Sequence, residues 1–384
     1  MKLALIADTH FGLKRFEEDA FVQAERALIS ADELADVIIL AGDIFDTRIP
    51  RPETLSRAFE IFKKVKKPMF AIHGTHERRA KGLVNPIQMM ATLEMVRDVH
   101  AKTETIDIRG EKLAVSGLGG VPDEYAKSAL EAISPKPLTG AFNVFVLHQS
   151  VVDFVFTGKD ILDLDDLPSG FDLYLCGHMH KYATAMDGKF IIPGSTVLTQ
   201  LKREEMGEKG YVLYDTKASG KERIQFVPVK TRQFFFEEME FKDAHLAQVR
   251  KDVEETVARL KKKAEDLGEK EPIIRIVIKG TLAAGVSPGD LSLTHVLASS
   301  RKENHGEQFI FIDNELNESM LKGKIDKIRE ARARKTSIGE FGMGILKEKL
   351  KEKKCGIENP EELFEKLCDS GAEAAFENIK KRKG

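Results

Sequence analysis

The sequence predicts an α/β fold: a core of two sheets flanked by helices, a smaller α/β domain after it, and a helical C-terminal tail. Three observations support this. Short apolar runs, LALIAD (3–8), VIILAGD (37–43) and PMFAIHG (68–74), lack polar alternation and so suit strands covered on both faces. Apolar residues at helical spacing fill the stretches between them, as in a sheet with helices laid on it. Past residue 232 the texture shifts to heavily charged segments, which marks a boundary.

Taken in order, 3–8 reads as a strand that breaks at a histidine and Gly12, and Glu17 to Leu34 reads as a helix. The runs at 37–43 and 68–74 are strands with a helix from Thr54 to Val65 between them. Leu83 to Val96 is apolar around most of a helix, which fits either a central core helix or a homodimer interface. Further strands are expected at 112–118, 143–148, 171–177, 189–194, 210–215 and 224–229. The close spacing of the later ones predicts short hairpins and a second sheet packed on the first. After Arg232, FFFEEMEF leads into a charged helix over Lys242 to Leu267, a strand at 273–280, a short helix near Leu291 to Ser299 and a strand at 308–313. The domains are thus expected at 1–232, 233–316 and 317–384. The last is a Lys-, Arg- and Glu-rich tail whose apolar clusters, Phe341 to Leu350 and Leu363 to Leu367, bury too little surface alone and are expected to dock on a partner.

Composition narrows the function. With 60 basic and 62 acidic residues in a chain of 384, the formal net charge of -2 argues against a uniformly basic nucleic-acid binder, so any such partner must be held locally. The three cysteines have no metal-binding spacing and cannot all pair, which favours a reducing compartment. No apolar stretch approaches the about 18 residues of a membrane span, and a cytoplasmic protein with no membrane association is expected.

The chemistry is carried by side chains at the ends of the expected strands: Asp8 and His10 in ADTH, Asp43 in AGDIFD, Thr75 and His76 in HGTHE, His148 in VLHQ, and His178 and His180 in CGHMH. A strand-end Asp is commonly only a turn or helix cap, and His148 alone could be a hydrogen-bonded core histidine. Together, however, they supply oxygen and nitrogen ligands for two divalent cations about 3.5 to 4 Å apart. Asp43 is the expected bridge, because two cations that close need an anion between them. Asp8 and His10 point the same way if the chain stays extended there. Gly74 is expected to permit the tight turn that presents Thr75 and His76. Imidazole and carboxylate without thiolate suit manganese, iron, zinc or cobalt, and manganese is the first choice. Arg78 and Arg79, directly behind the HGTHE loop, are candidate phosphate contacts, with a solvated surface as the alternative.

These blocks resemble the calcineurin-like metallophosphoesterases, whose pattern is D-x-H, G-D, G-N-H-D/E, a lone H and G-H-x-H; the resemblance covers residues 1 to about 230. More narrowly, ADTHFG, AGDIFDTRIPRPETL, FAIHGTHE, LHQSV and IIPGSTV are similar to the nuclease subunit of the archaeal and eukaryotic double-strand-break repair complex, which has a bacterial exonuclease counterpart. The resemblance implies a manganese-dependent 3′–5′ exonuclease and single-strand endonuclease, a homodimer bound to an SMC-like ATPase, acting on DNA ends and single-stranded DNA in a prokaryotic, archaeal cytoplasm. It makes residues 233–316 a capping domain and the tail the ATPase-binding region. It also implies that Asp8, His10, Asp43 and His180 hold one metal, that Asp43, His148 and His178 serve the other, and that His76 acts on the scissile phosphate. The family has Asn where this chain has Thr75, which predicts a weaker second site; His73 either compensates for that loss or has an ordinary surface role. Two other functions are kept: a phosphoesterase of small phosphodiesters or phosphoproteins, and a weakly catalytic DNA-binding scaffold for the ATPase.

Overall fold

In a computed structural model of the chain, the described residues are 1–80, 82–154, 161–269, 271–294, 296 and 309–318, with 343, 344, 346, 347, 350, 360–362, 364 and 365. The first strand, β1 (Lys2–Ile6), leads to α1 (Glu17–Leu34), β2 (Val37–Ala41), α2 (Pro52–Phe62), β3 (Met69–Ile72), α3 (Pro86–Thr92) and the two-residue β4 (Arg97–Asp98). There follow β5 (Thr103–Ile108), β6 (Glu111–Leu118), α4 (Asp123–Ile133), β7 (Phe142–His148), β8 (Leu173–Gly177), β9 (Ala183–Ala185), β10 (Phe190–Ile192), β11 (Gly210–Asp215) and β12 (Ile224–Pro228). Two six-stranded sheets result, ordered β12-β11-β1-β2-β3-β4 and β5-β6-β7-β8-β10-β9. β1 to β4 run parallel, as do β6, β7, β8 and β10, so their carboxyl ends share an edge.

Alternation along each strand builds the layers. Leu3 and Leu5 of β1, Val37 and Ile39 of β2 and Phe70 and Ile72 of β3 face Val144, Val146, Leu173 and Leu175 of the other sheet. Their neighbours Ala4, Ile6, Ile38, Leu40 and Ala71 pack instead against Phe21, Ala24, Ala27 and Leu28 of α1 and Ala58, Ile61 and Phe62 of α2. On the far side Phe145, Leu147, Tyr174 and Cys176 meet Ala126 and Leu130 of α4. Every strand of this double sheet's centre is therefore covered on both faces, which is why it carries no polar alternation. Burying each large apolar side chain there contributes about 1.5–3 kcal/mol. α1 carries Glu17, Glu18 and Asp19 in its first turn, where the helix dipole favours acid.

Three expectations change. The helix expected over 83–96 shrinks to Pro86–Thr92: Asn85 caps it in a reciprocal box with Gln88, Pro86 takes the first helical position, and Glu94 at φ 58 breaks it. Ile87 and Met90 are buried, whereas Leu83, Val84 and Leu93 are exposed. Phe234–Ala244, expected as a lead-in to a helix, is a strand of eleven residues, β13. The amphipathic α4 and the polar edge strand β5 have no counterpart among the expected elements; β5 alternates half-buried and exposed residues and sends Ile106 and Ile108 towards the inter-sheet core.

Next come α5 (Leu246–Asp266), β14 (Ile273–Leu282) and β15 (Ile310–Glu318), and β13, β14 and β15 form a third sheet in that order. The chain divides into two compact units, the described residues of Met1–Phe236, Ala258–Arg275 and Ser299–Phe311, and those of Glu237–Val257, Ile276–Ala298 and Ile312–Gly384. Of the expected helix near Leu291 to Ser299, only 291–294 and 296 are described, with Thr294 and Val296 helical; most of the expected helical tail lies outside the described residues, and of those described in it Asn317 and Glu318 end β15 while those from 343 on, Leu346 and Leu350 among them, are helical. Among the described residues no helix is long and apolar enough to cross a membrane.

Candidate metal centre

The carboxyl ends of β1, β2, β3, β7 and β8 converge, and each ends in a candidate ligand or leads directly into a loop bearing one. The chain does not stay extended after β1. Asp8 (φ 53), His10 (φ 49), Asp43 (φ 46) and His178 (φ 81) all sit at left-handed φ, a region in which Asp and His are tolerated better than most residues but still at a cost. The kinks are held by the neighbouring loop: Asp8 N donates to Gly42 O at 3.1 Å, His10 N to Asp43 O at 3.0 Å and Phe11 N to Ile44 O at 2.8 Å. Those bonds bring Asp8 and His10 to one side in place of strand geometry.

The metal-competent atoms of the expected ligands fall into two sets, and a third group, His10, Asp46 and His76, shares His10 with the first. Asp8, His10 and His180 form one, Asp43, His148 and His178 the other, with the ligand atoms of each set within 4.8 Å of one another. Asp8 Oδ1 lies 4.0 Å from His10 Nε2 and 3.8 Å from His180 Nε2. Asp43 Oδ2 lies 3.1 Å from His148 Nε2, too poorly aligned for a hydrogen bond. The Nε2 atoms of His10 and His148 are buried without a hydrogen-bond partner. A buried polar nitrogen left unpaired is costly, and a cation between it and the adjacent carboxylate would resolve both. The donor chemistry therefore fits two divalent cations held by carboxylate oxygen and imidazole nitrogen.

Tautomers follow from the outer partners. His148 Nδ1 must donate to the Ala41 carbonyl at 2.7 Å, leaving Nε2 for the site. His180 Nδ1 faces Glu205 Oε1 at 2.9 Å, and His10 Nδ1 faces Asp46 Oδ1 at 3.1 Å, with the same consequence. Burial alone would raise Asp43, but the imidazoles of His148, His10 and His76 reverse this and hold its carboxyl well below the usual range. Burial opposes a charged His148, yet Asp43 and Asp8 push it up to about 9. Burial and the positive field of His148 lower His178.

Close approach explains the glycines. Gly74 is not at left-handed φ, contrary to its expected turn role; a Cβ there would lie 2.1 Å from Asp43 Oδ1. Glu77, fully buried, accepts from Gly74 N and Phe45 N at 2.7 Å each and so clamps the 74–77 loop to the 43–46 loop. Its burial and the nearby Asp43 carboxylate push its carboxyl up to about 8.

His76 stands at the rim, half exposed, with Nδ1 donating to Asp46 O at 2.9 Å and Nε2 4.0 Å from Asp43 Oδ2. Thr75 Oγ1 donates to Asp43 Oδ2 at 3.2 Å, which puts it beside the second set. His73 is directed elsewhere: it packs edge-on against His100 at 4.6 Å between ring centroids, and burial, with His100 beside it, pulls its pKa down to about 3. Arg78 and Arg79 are half-buried, and Arg79 Nη1 donates to Val84 O at 3.4 Å.

Sequence reasoning missed Asp46, Glu205 and Lys209. Asp46 lies between His10 and His76 and groups with both; its position three residues after Asp43 in AGDIFD was a usable signal. Nothing in 199–209 betrays that Glu205 and Lys209, at i,i+4, are both buried.

A family model for the calcineurin-like phosphoesterase superfamily domain matches residues 1–219. The chain belongs to that superfamily. Its double sheet and two His/Asp sets make this phosphoesterase a metal-dependent hydrolase. It is related to the DNA double-strand break repair protein Mre11 of Sulfolobus acidocaldarius, 24% identical over 73% of this chain and 76% of that one. It is likewise related to the Mre11 protein of Saccharolobus solfataricus, 30% identical over 53% of this chain and 56% of the relative. Among solved structures, TT1561 of Thermus thermophilus aligns with a TM-score of 0.38 and 17% identity over 60% of this chain and 99% of its own.

Proposed function

We propose that this phosphoesterase is a manganese-dependent DNA nuclease, a 3′–5′ exonuclease and single-strand endonuclease that processes DNA ends with an SMC-like ATPase. The observation that carries hydrolysis is the pair of unpartnered buried Nε2 atoms, His10 and His148, each beside a buried carboxylate. The DNA assignment draws on the double-strand break repair proteins to which the chain is similar.

On this reading Asp8, His10 and His180 would hold one cation, and Asp43, His148, His178 and the weaker Thr75 would hold the other. Divalent cations held there would supply acidified water and neutralise the phosphate oxygens. His76, its ring held by the Nδ1–H donated to the Asp46 carbonyl, orients the phosphodiester and, acting as the imidazolium, passes its Nε2 proton to the departing sugar oxygen and is left as the neutral Nδ1–H tautomer. Arg78 and Arg79 line the approach and grip phosphate without reading sequence. The strand β13 and the elements after it form the capping domain, and the tail binds the ATPase. Leu83, Val84 and Leu93 supply the homodimer contact.

Activity on single-stranded DNA, duplex ends and a nitrophenyl phosphodiester, compared with manganese and with chelator, tests the assignment. Manganese-dependent DNA cleavage that His76→Ala reduces by orders of magnitude while DNA binding persists is the expected result. Cleavage of the small diester alone would make the protein a small-molecule phosphodiesterase. The departure at Thr75 favours a second reading, a scaffold that grips DNA for the ATPase, for which binding without cleavage is the expected outcome.

A further inference from the structure

The two metal-competent sets differ in what stands behind their histidines. His148 is oriented by a backbone carbonyl, Ala41 O at 2.7 Å. His180 is oriented by a buried ion pair. Glu205, closing the single helical turn Arg203–Glu205, places Oε1 2.9 Å from His180 Nδ1, and Lys209 Nζ donates to its Oε2 at 2.6 Å. Thr199 Oγ1 donates to the same Oε1 at 2.9 Å and lies 2.5 Å from His180 Nδ1. Lys209 Nζ also donates to Ser195 Oγ at 3.0 Å and to the His180 carbonyl at 3.3 Å, so it holds the residue by side chain and backbone at once. Glu205 is 8% and Lys209 6% exposed. Two charges are not sequestered this way for stability, since replacing such a pair by apolar groups is frequently neutral or better. Their position behind one imidazole gives them another use.

We infer that Glu205, held in place by Lys209, is a positioning residue that fixes the tautomer and orientation of the His180 ring, so that the cation of the Asp8, His10 and His180 set binds more tightly than that of the Asp43, His148 and His178 set. A carboxylate behind a ligating imidazole fixes the tautomer and strengthens the nitrogen as a donor, and its loss costs about 10- to 100-fold in metal affinity. The inference rests on the two-cation reading above. It adds that the sites are filled in a fixed order, with the Glu205-backed site first.

The test is anaerobic manganese titration of the full chain, read by the free-ion paramagnetic signal. Wild type is expected to bind two cations with separable affinities, and Glu205→Gln to weaken the tighter one about 10- to 100-fold while leaving the other unchanged. Against a His180→Ala background the same change should cost nothing further; against His148→Ala it should cost the full amount. If Glu205→Gln alone folds poorly, the charge-balanced Glu205→Gln/Lys209→Met variant gives the same readout, with circular dichroism and the unaffected site as controls on folding. Unchanged affinities in a wild type that binds two cations, or a loss that adds in full to that of His180→Ala, overturn the inference and leave the two-cation reading standing. A wild type that binds fewer than two cations overturns both.

Discussion

Asp43 touches the centre at several points. Its Oδ1 accepts from His76 N at 2.8 Å and its Oδ2 faces both Thr75 Oγ1 and His148 Nε2. Asp43→Ala is therefore expected to abolish measurable binding of both cations, whereas His148→Ala should spare one; equilibrium dialysis with elemental counting separates these outcomes. Thr75 is the second informative position. A carboxamide reaches further than a hydroxyl, so Thr75→Asn should tighten the weaker cation on the order of tenfold, about 1.4 kcal/mol. An unchanged affinity would mean that the hydroxyl is already a full ligand. The Cys176 thiol, by contrast, is pushed up to about 12 by burial and takes no part in the centre. In a chain with Cys355 and Cys368 replaced by serine, it should resist a disulfide reagent at neutral pH until the protein unfolds. The candidate ligands were visible in the sequence because they occur as short blocks following apolar runs. Glu205 and Lys209 were not, since only the fold buries a pair that would otherwise sit in water.

Strand ends, more than strands, make the site. β2 and β8 approach so closely that a Cβ on Gly177 would lie 2.1 Å from Ala41 O and 2.7 Å from His148 Nδ1, the two atoms whose bond orients that imidazole. Gly177→Ala must push them apart. It is expected to destabilise the fold by about 1–3 kcal/mol in urea titration and to weaken the cation held by His148; a stable variant with intact binding would show that the strand ends yield without moving the ring. The buried runs β1, β2, β3, β7 and β8 were legible because a strand covered on both faces must be apolar throughout. β5 was not, since Thr103 to Ile108 alternates as an edge strand does and its pattern is too polar to stand out. The expected helix over 83–96 failed for a related reason: apolar content suggested burial all round, but Asn85, Pro86 and Glu94 set the ends, and three of the apolar residues lie outside the helix and face solvent.

That correction decides how self-association should be probed. The apolar residues of 83–96 include a buried set, with Ile87 and Met90 at 0% exposure, and an exposed set, Leu83 at 52%, Val84 at 63% and Leu93 at 52%. A charge at Met90 would enter the core beside α1 and β3, so its effect on mass would report unfolding. A charge at the exposed set leaves the core intact, and burying three such side chains in a partner would contribute about 1.5–3 kcal/mol each when fully covered. On the proposed reading the wild type is expected to sediment as a dimer at micromolar concentration and the Leu83→Glu/Val84→Glu/Leu93→Glu variant as a monomer, with its thermal midpoint little changed at high dilution. Retention of manganese by the monomer would follow as well, because every candidate ligand belongs to strand ends of one chain and none lies in 83–96. If the variant stays dimeric, the contact lies elsewhere on the surface and these three residues await another partner.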